Sequence, residues 1–340
     1  MKIRAKDIAK ELNLSTATVS LAINNRPGVN EETRQKVLDY IEKVKNGETD
    51  ETQESERVIR MISFLEDRPY WDSSENVRIY TTYEFASIRA KENGFKTELV
   101  SAVRGRDRLE DLLRECVRDK VSGVYLNAAY MTWEEYECFR DFEIPFVVCD
   151  QDFEDLRTDH IFLNNRQGVT MGLQYLYDHG HRDIMYFRNS NNFYNMYRRR
   201  EAYRDFIREK NLMKEEDVNI IDIGGTTQEI YERMLSYLEA GKKTGKAIFC
   251  ENFEVTIGVS KALTSKGYRI PEDISIVGFD QIPGTALMDF EPTCICCPHE
   301  QKANVAAGRL IERINGYTNE SVKIYVNTAL QIGNSVRKSE

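Results

Sequence analysis

The sequence predicts a small all-helical head followed by a larger α/β core built on parallel sheets. Apolar residues recur at helical spacing through residue 45, whereas short β-rich runs alternate with helical stretches from residue 57 onward. The composition is that of a globular chain, because 41% of the 340 residues are hydrophobic and 30% are charged. A chain of this length has room for two or three domains, each with a hydrophobic core of its own.

Three short helices are predicted within residues 1–45. The first covers residues 5–12, and the second runs from Thr16 to Asn24 after a Ser15 cap. The third follows an Asn30 cap, and its acidic first turn suits the positive end of a helix dipole. The side chains expected to face inward are Ala5, Ile8, Ala9 and Leu12, then Val19, Ala22 and Ile23, then Val37, Leu38, Ile41 and Val44.

Charge is distributed unevenly along the chain. The net charge of −9 ordinarily argues against nucleic acid as a partner, but residues 1–45 carry nine Lys and Arg against six Asp and Glu. Residues 46–56 contain five acidic residues, no basic residue and no apolar one, so we expect a mobile acidic linker there. The head is therefore the basic part of the chain.

Polar side chains follow the predicted strands of the core. The strands are expected at residues 58–65, 121–126, 145–149, 184–187, 219–223, 247–250 and 274–279. Ligands of such sheets lie beyond the carboxyl ends of the strands. The residues there are Glu66, Asp67, Asn127, Asp150, Asn189, Glu251, Asn252 and Asp280. They suit a hydroxyl-rich ligand, although Asp and Asn at these places are also typical helix caps.

No membrane segment, cofactor or metal site is expected. No apolar run approaches the length of a membrane helix and the N-terminus lacks a signal core, so we expect a cytoplasmic protein whose seven cysteines stay reduced. Cys294, Cys296 and Cys297 form a cluster, but with His299 they do not give a familiar zinc spacing. Buried strand cysteines are the alternative that we favour.

Residues 3–44, which include STATVS and a following PGVNEETR, resemble the DNA-binding head of the LacI family of bacterial transcription regulators. The body is similar to the family's sugar-binding core at residues 172–187, 246–268 and 271–283. The resemblance implies two Rossmann-like lobes, as in periplasmic sugar-binding proteins, with three chain crossings, a ligand in the cleft and dimerisation through the core. We expect a head at 1–45, a linker at 46–56 and a core at 57–340. Lobe one is expected at about 57–160 and 294–318, and lobe two at about 161–290 and 320–335.

A helix-turn-helix places its second helix in the major groove of double-stranded DNA. Thr16, Ala17 and Ser20 are therefore expected to contact base edges or adjacent phosphates. The residues expected to position phosphates are Ser15, Thr18, Asn24, Asn30 and Arg34. The resemblance places Leu21 where most family members carry a guanine-reading arginine, so the recognised operator is expected to differ.

The linker also departs from the family pattern. In the family, a Tyr-x-Pro-Asn segment followed by Ala and Leu folds into a hinge helix on DNA, and its leucine enters the minor groove. Here those positions fall on Glu48, Thr49 and Ser55. Carboxylates beside phosphates are repelled, so we expect the head to bind the major groove alone, with little kinking of the DNA.

The resemblance points to Arg199 as a clamp for sugar hydroxyls, with a solvated basic helix face as the alternative. Asp280 and Asn252 are the other two preferred effector contacts. Phe253 and Asn164 depart from acidic family positions, which makes the pocket less acidic and suggests a larger or less hydroxylated ligand that stacks on aromatic rings. The full expected set is Asp67, Tyr70, Asn127, Asn164, Arg199, Asn252, Phe253 and Asp280.

These features together indicate a transcriptional regulator, expected to repress, whose homodimer reads a pseudo-palindromic operator under control of a small molecule, expected to be a carbohydrate. The alternative is a ligand-binding protein that has lost operator binding and acts through protein partners. An enzyme is not expected, because none of the four histidines has a Ser, Cys or acidic partner at motif spacing.

Overall fold

The computed structural model describes residues 8–9, 12, 14–45, 57–67, 73–212, 219–282 and 288–339. The chain divides into two compact units, Met1–Arg57 and Val58–Glu340. No helix in the described ranges is long and apolar enough to cross a bilayer.

The head unit contains helix α1, Thr16–Ile23, and helix α2, Glu31–Lys45. The Ser15 side chain caps α1 and the Asn30 side chain accepts a hydrogen bond from the Thr33 amide at the start of α2. The core of this unit comprises Ile8, Ala9, Val19, Ala22 and Val37. Of the predicted first helix, residues 8 and 9 are helical, while residues 5–7 and 10–11 lie outside the described residues, as does the acidic linker 46–56.

Two side chains expected in this core are exposed. Ile23 is 42% exposed and Leu38 is 40% exposed. Each follows a fully buried neighbour, Ala22 or Val37, and one residue along a helix turns the side chain by about 100°. A bundle this small covers a narrow stripe of each helix, so the adjacent position faces solvent. The side chain of Val44 lies outside the described residues.

The core unit contains two six-stranded sheets flanked by helices. The strands are β1 Val58–Leu65, β2 Lys96–Val103, β3 Gly123–Asn127, β4 Phe146–Cys149, β5 Asp159–Leu163, β6 Ile184–Arg188, β7 Ile220–Asp222, β8 Ala247–Cys250, β9 Ser275–Phe279, β10 Thr293–Cys296, β11 Lys323–Val326 and β12 Ala329–Gln331. The first sheet has the order β11-β5-β4-β3-β1-β2, and the second has the order β12-β10-β9-β8-β6-β7. Neighbouring strands run parallel except β12, which pairs antiparallel with β10.

Helices cover both faces of each sheet, and a separate apolar cluster fills each of the four interfaces. The helices are α3 Ser73–Glu92, α4 Leu109–Arg118, α5 Trp133–Tyr136, α6 Asn165–Asp178, α7 Tyr194–Glu209, α8 Thr227–Glu239, α9 Phe253–Ser265 and α10 His299–Ile314. This architecture is the doubly wound, two-lobed α/β core that the sequence predicts.

The chain crosses between the two sheets three times, after β5, between β10 and α10, and between β11 and β12. The expected lobe boundaries are wrong at each crossing. β5 lies wholly in the first sheet although the expected boundary falls at residue 160, β10 belongs to the second sheet, and β11 belongs to the first. Strand pairing sets these boundaries, since β11 adds to the edge of β5 with Lys323 opposite His160.

All seven predicted strands are present, and β1 and β8 have the predicted ends. Strands β2, β5, β10, β11 and β12 were not predicted. β2 and β11 lie at sheet edges, and all of their residues except Ala102 are at least partly exposed, so they lack the buried run that marks a central strand. β5 begins with Asp159, a charge that its partner Arg309 allows to be buried.

Candidate functional site

The exposed face of helix α1 is formed by Thr16, Ala17 and Ser20, three small residues that lie on one side of the helix. Asn24 continues this face and donates its side-chain amide to the Ser20 carbonyl at 2.8 Å. Small side chains let a helix backbone approach a groove closely. The face therefore has the shape that major-groove contact needs.

Other predicted head residues support this face from within the unit. Ser15 Oγ accepts from the Thr18 amide at 3.0 Å and lies 2.8 Å from the Thr18 hydroxyl, which fixes the start of α1. The half-buried Arg34 donates to the Arg26 carbonyl at 2.9 Å, and so joins α2 to the turn after α1.

Leu21 is half-buried and lies against the turn that follows α1. A Cβ atom placed on Gly28 would lie 3.5 Å from Leu21 Cδ1, and Gly28 has a φ of +115°, a conformation that favours glycine. The Leu21 side chain therefore packs on the turn as well as flanking the exposed face.

A cleft lies between the two lobes of the core, at the carboxyl ends of strands from both sheets. Lobe one contributes Asn127 and Asp150, and lobe two contributes Arg199 and Asp280. The other residues that line the cleft are Ile79, Thr82, Ala129, Tyr130, Leu163, Phe193, Asn195, Met196, His299 and Lys302.

Arg199 is held almost entirely by the protein. Its guanidinium donates to Asn165 Oδ1 at 2.9 Å, to the Glu251 carbonyl at 2.8 Å, and to both Asp280 carboxylate oxygens at 3.2 and 3.4 Å. The guanidinium carbon also lies 3.6 Å from the ring centre of Phe279. Burial opposes the charged form, but the Asp280 carboxylate outweighs it and raises the pKa of Arg199. Arg199 thus acts first as a fixed partner of Asp280.

Lys302 and Asp150 form a second buried ion pair, on the lobe-one side of the cleft. Burial lowers the pKa of Lys302, but the Asp150 carboxylate outweighs burial and the net shift is upward. The Oδ1 atoms of Asp150 and of Asn127 are buried and have no hydrogen-bond partner among the described residues. Both atoms are acceptors beside the cleft, so this wall is suited to a ligand that brings hydrogen-bond donors.

The crossing between β10 and α10 brings a thiol and an imidazole beside Asp280. The Cys297 thiol donates to Asp280 Oδ1 at 2.9 Å, and burial raises the pKa of this thiol well above its ordinary value. His299, the first residue of α10, lines the cleft.

Family models match both units. Residues 5–45 match the model described as bacterial regulatory proteins, lacI family, and residues 173–336 match the periplasmic binding protein-like domain. The chain belongs to the LacI family. It is a DNA-binding transcriptional regulator with a ligand-binding core.

Relatives match this LacI-family chain over nearly its full length. The probable HTH-type transcriptional repressor ExuR of Bacillus subtilis (strain 168) is 25% identical, with 99% of both chains covered. The HTH-type transcriptional repressor PurR of Pasteurella multocida (strain Pm70) is 28% identical, with 98% of both chains covered. These relatives are transcription regulators rather than enzymes.

Solved structures share the fold of this LacI-family chain. A complex of the transcriptional regulator CelR with cellobiose has a TM-score of 0.69 at 19% identity, covering 98% of this chain and 100% of the other. The Lac repressor dimer bound to operator and the anti-inducer ONPF has a TM-score of 0.71 at 16% identity, covering 99% and 100%.

Several predicted effector residues of this LacI-family chain do not line the cleft. Asn164 accepts from the Gln167 amide at 3.2 Å and Asn252 accepts from the Val255 amide at 3.0 Å, so both cap helices. Phe253 is buried as the first residue of α9, and Asp67 pairs on the surface with Arg106 at 2.6 Å. Tyr70 lies outside the described residues.

Asn127, Arg199 and Asp280 are the predicted effector residues that the fold brings together at the cleft. The sequence analysis placed Asp150 among the residues beyond the strand ends but left it out of the expected effector set, and it missed Lys302 and His299 as cleft residues. Asp150 had a usable signal, because it follows a predicted strand. A lysine inside an amphipathic helix gives no comparable signal for Lys302, since such residues usually face solvent.

Proposed function

We propose that this protein is a repressor that acts in the cytoplasm, binds a pseudo-palindromic operator as a homodimer, and changes its operator affinity when a carbohydrate-type effector occupies the cleft. The observation that carries this proposal is the exposed, small-residue face of the Ser15-capped helix in a LacI-family head. Two heads related by twofold symmetry match two half-sites of a palindrome.

For the head, we propose base-edge contacts from Thr16, Ala17 and Ser20. The proposed flanking and phosphate-positioning residues are Ser15, Thr18, Leu21, Asn24, Asn30 and Arg34. The leucine at position 21 cannot make a bidentate hydrogen-bonded contact to guanine, which supports an operator that differs from that of relatives carrying arginine there. The acidic sequence of residues 46–56 supports binding through the major groove alone.

For the cleft, the Oδ1 atoms of Asn127 and Asp150 have no hydrogen-bond partner within the described part of the chain, which supports an effector rich in hydroxyl donors. Asp280, held in place by Arg199, offers a further acceptor from lobe two. The fold shared with a regulator solved in complex with cellobiose agrees with this class of ligand. We propose binding without turnover, so the effector is expected to be recovered unchanged.

The operator proposal is tested by selecting genomic fragments with the full-length protein at about 50 and about 200 mM salt, since phosphate contacts make affinity fall steeply with salt. A Thr16→Ala/Ser20→Ala double variant is expected to lose at least about tenfold in affinity for the selected fragments while keeping its affinity for random DNA. Gln35→Ala, exposed on α2, is the matched control. A wild-type protein without preference for any fragment supports the alternative, a ligand-binding protein that acts through protein partners.

The effector proposal is tested by titrating a panel of neutral sugars against the full-length protein by calorimetry. Asn127→Ala removes an acceptor that has no partner among the described residues and is expected to weaken the affinity for the sugar by about twofold to tenfold, the usual range for one hydrogen bond. Gln174→Ala, at a half-buried residue of α6 that is bonded to Asp178 and does not line the cleft, is expected to leave affinity unchanged. Equal weakening by both variants contradicts the assignment of the cleft.

A further inference from the structure

Three side chains of metal-binding type converge where the chain passes from β10 into α10. Asp280 follows β9, Cys297 follows β10, and His299 begins α10. One ligand atom from each residue lies within 4.8 Å of the other two. The sequence alone offered only a cysteine cluster near His299, and the fold adds Asp280 from a separate strand.

We propose that Asp280, Cys297 and His299 form a binding site for a divalent transition metal of the Zn²⁺ class. A carboxylate oxygen, a thiolate and an imidazole nitrogen are the donor types that such ions take, at about 2.0–2.3 Å from the metal. The three donor atoms need to move together by only a small amount to reach those distances. Because Asp280 and His299 line the cleft, the fourth coordination position faces the cleft and is open to water or to an effector group.

Binding of a divalent metal at these three residues changes the charges and protons of the site. The Cys297 thiol now donates to Asp280 Oδ1, and a metal takes the place of that proton, which passes to water. The thiolate offsets one positive charge of the ion, and the Asp280 carboxylate is shared with Arg199, so the metal, Arg199 and the two acidic side chains together carry one net positive charge. Arg199 lies 3.2 Å from Asp280 Oδ2 and 3.4 Å from Oδ1, so the metal shares Oδ1 with the arginine.

The neighbouring cations limit the affinity of this site. Arg199 and Lys302 are both buried near it, although Lys302 is paired with Asp150. An anionic or strongly electron-donating fourth ligand is therefore favoured over neutral water.

The site joins the two lobes. Asp280 belongs to lobe two, whereas His299 begins a helix that packs on strands β3, β4 and β5 of lobe one. A metal held by both biases the arrangement of the lobes in which its ligands are close together. The metal is thus expected to act on the same conformational equilibrium as the effector.

The experiment is a titration of metal-free, full-length protein with Co²⁺ as a spectroscopic substitute for Zn²⁺. The wild type is expected to develop a near-ultraviolet thiolate-to-cobalt band that saturates at one ion per chain and is removed by Zn²⁺. Cys297→Ser is expected to lose the band, and His299→Gln is expected to weaken Co²⁺ binding by at least about tenfold, because removing one of three protein ligands also removes its share of the binding energy.

Cys296→Ser is the matched control. Cys296 is the adjacent thiol, but its sulfur contacts Gln331 Oε1 at 3.3 Å, away from the cluster. This variant is expected to bind Co²⁺ as the wild type does. Absence of the band in the wild type, its persistence in Cys297→Ser, or its loss in Cys296→Ser overturns the proposal.

Circular dichroism of each metal-free variant separates loss of the site from loss of the fold. If Cys297→Ser does not fold, the test rests on His299→Gln, since His299 is half-buried. The midpoint of the Co²⁺ titration of this variant then shows whether His299 binds the metal. No DNA or effector is present, so failure here is independent of failure of the proposed repressor function.

Discussion

At the scale of single residues, the core is organised by charges buried in pairs. Arg199 with Asp280, Arg200 with Glu251, and Lys302 with Asp150 are all nearly inaccessible to solvent. Desolvation makes each isolated charge unfavourable, so each partner is needed to keep the other in place. Two of these pairs line the cleft, and the third lies directly behind Arg199 on the same helix.

Arg200 and Arg198 give a matched test of burial. The Glu251 carboxylate is fully buried and receives Arg200 Nε at 2.6 Å, whereas Arg198 pairs with the partly exposed Glu201. We expect Arg200→Met to lower the free energy of unfolding by about 3–5 kcal/mol, because it leaves a buried carboxylate unpaired. Arg198→Met is expected to lower it by less than about 1 kcal/mol. Urea unfolding measures both, and similar losses in the two variants contradict this interpretation.

Two buried histidines give the stability a defined pH dependence. Burial lowers the pKa of His160 and of His181 below the ordinary 6.5. The unfolded chain therefore binds more protons than the folded chain below about pH 6.5, and stability is lost as the pH falls through that region. Between about pH 7.5 and about pH 5.5, urea unfolding is expected to show a loss of up to about 1.4 kcal/mol per pH unit for each histidine.

Glutamine in place of each histidine removes that titration. The double variant His160→Gln/His181→Gln is expected to show a flatter dependence than the wild type over the same interval, whatever its absolute stability. An unchanged slope assigns the pH dependence to other groups.

At the scale of secondary-structure elements, a polar residue at the end of a strand either lines the cleft or caps the next helix, and the sequence does not distinguish the two roles. Asn127 is the last residue of β3, Asp280 follows β9, and both line the cleft. Asn252 follows β8 after one intervening residue and caps α9, and Asn164 follows β5 and caps α6. The direction of the next helix makes the difference, because a side chain at its first turn bonds to that helix's own amides.

The cap assignment predicts the behaviour of Asn252 variants. Asn252→Ala is expected to lower the free energy of unfolding by about 0.5–2 kcal/mol, since the Val255 amide loses its acceptor. Asn252→Ser keeps a capping oxygen and is expected to recover most of this loss. Thermal unfolding measures stability and sugar titration measures binding. A loss of affinity in Asn252→Ser with stability retained identifies a ligand contact instead.

At the scale of the whole core, an aromatic contact joins the two lobes across the cleft. Tyr130 of lobe one and Phe193 of lobe two meet edge to face, with ring centres 4.7 Å apart. Arg104 holds the Tyr130 loop through the Tyr130 carbonyl and the Glu135 carboxylate. The pair stabilises the arrangement of lobes seen here and is one of the contacts that must change if the cleft opens.

Phe193→Ala removes that contact. An edge-to-face pair contributes about 0.5–1.5 kcal/mol, so the equilibrium between closed and open lobes is expected to shift by about twofold to about tenfold toward the open form. Small-angle scattering is expected to show a larger radius of gyration. Tyr197→Ala, on an exposed residue of the helix that follows Phe193, is the control and is expected to leave the scattering curve unchanged. A wild-type curve from Phe193→Ala contradicts the role of the pair.

Sequence patterns predicted the helical head with its cap residues, the alternation that makes a parallel α/β core, seven of the twelve strands among the described residues, and three of the residues that meet at the cleft. These features are local, because periodicity, capping and strand hydrophobicity depend on residues that are close together in the chain. The folded structure was needed to find strands β2, β5, β10, β11 and β12, the points where the chain changes lobe, the Lys302–Asp150 pair and the meeting of Asp280 with Cys297 and His299. Each of these depends on contacts between residues that are distant in the chain. A buried charge or a donor atom is stabilised only when folding brings its partner within bonding distance.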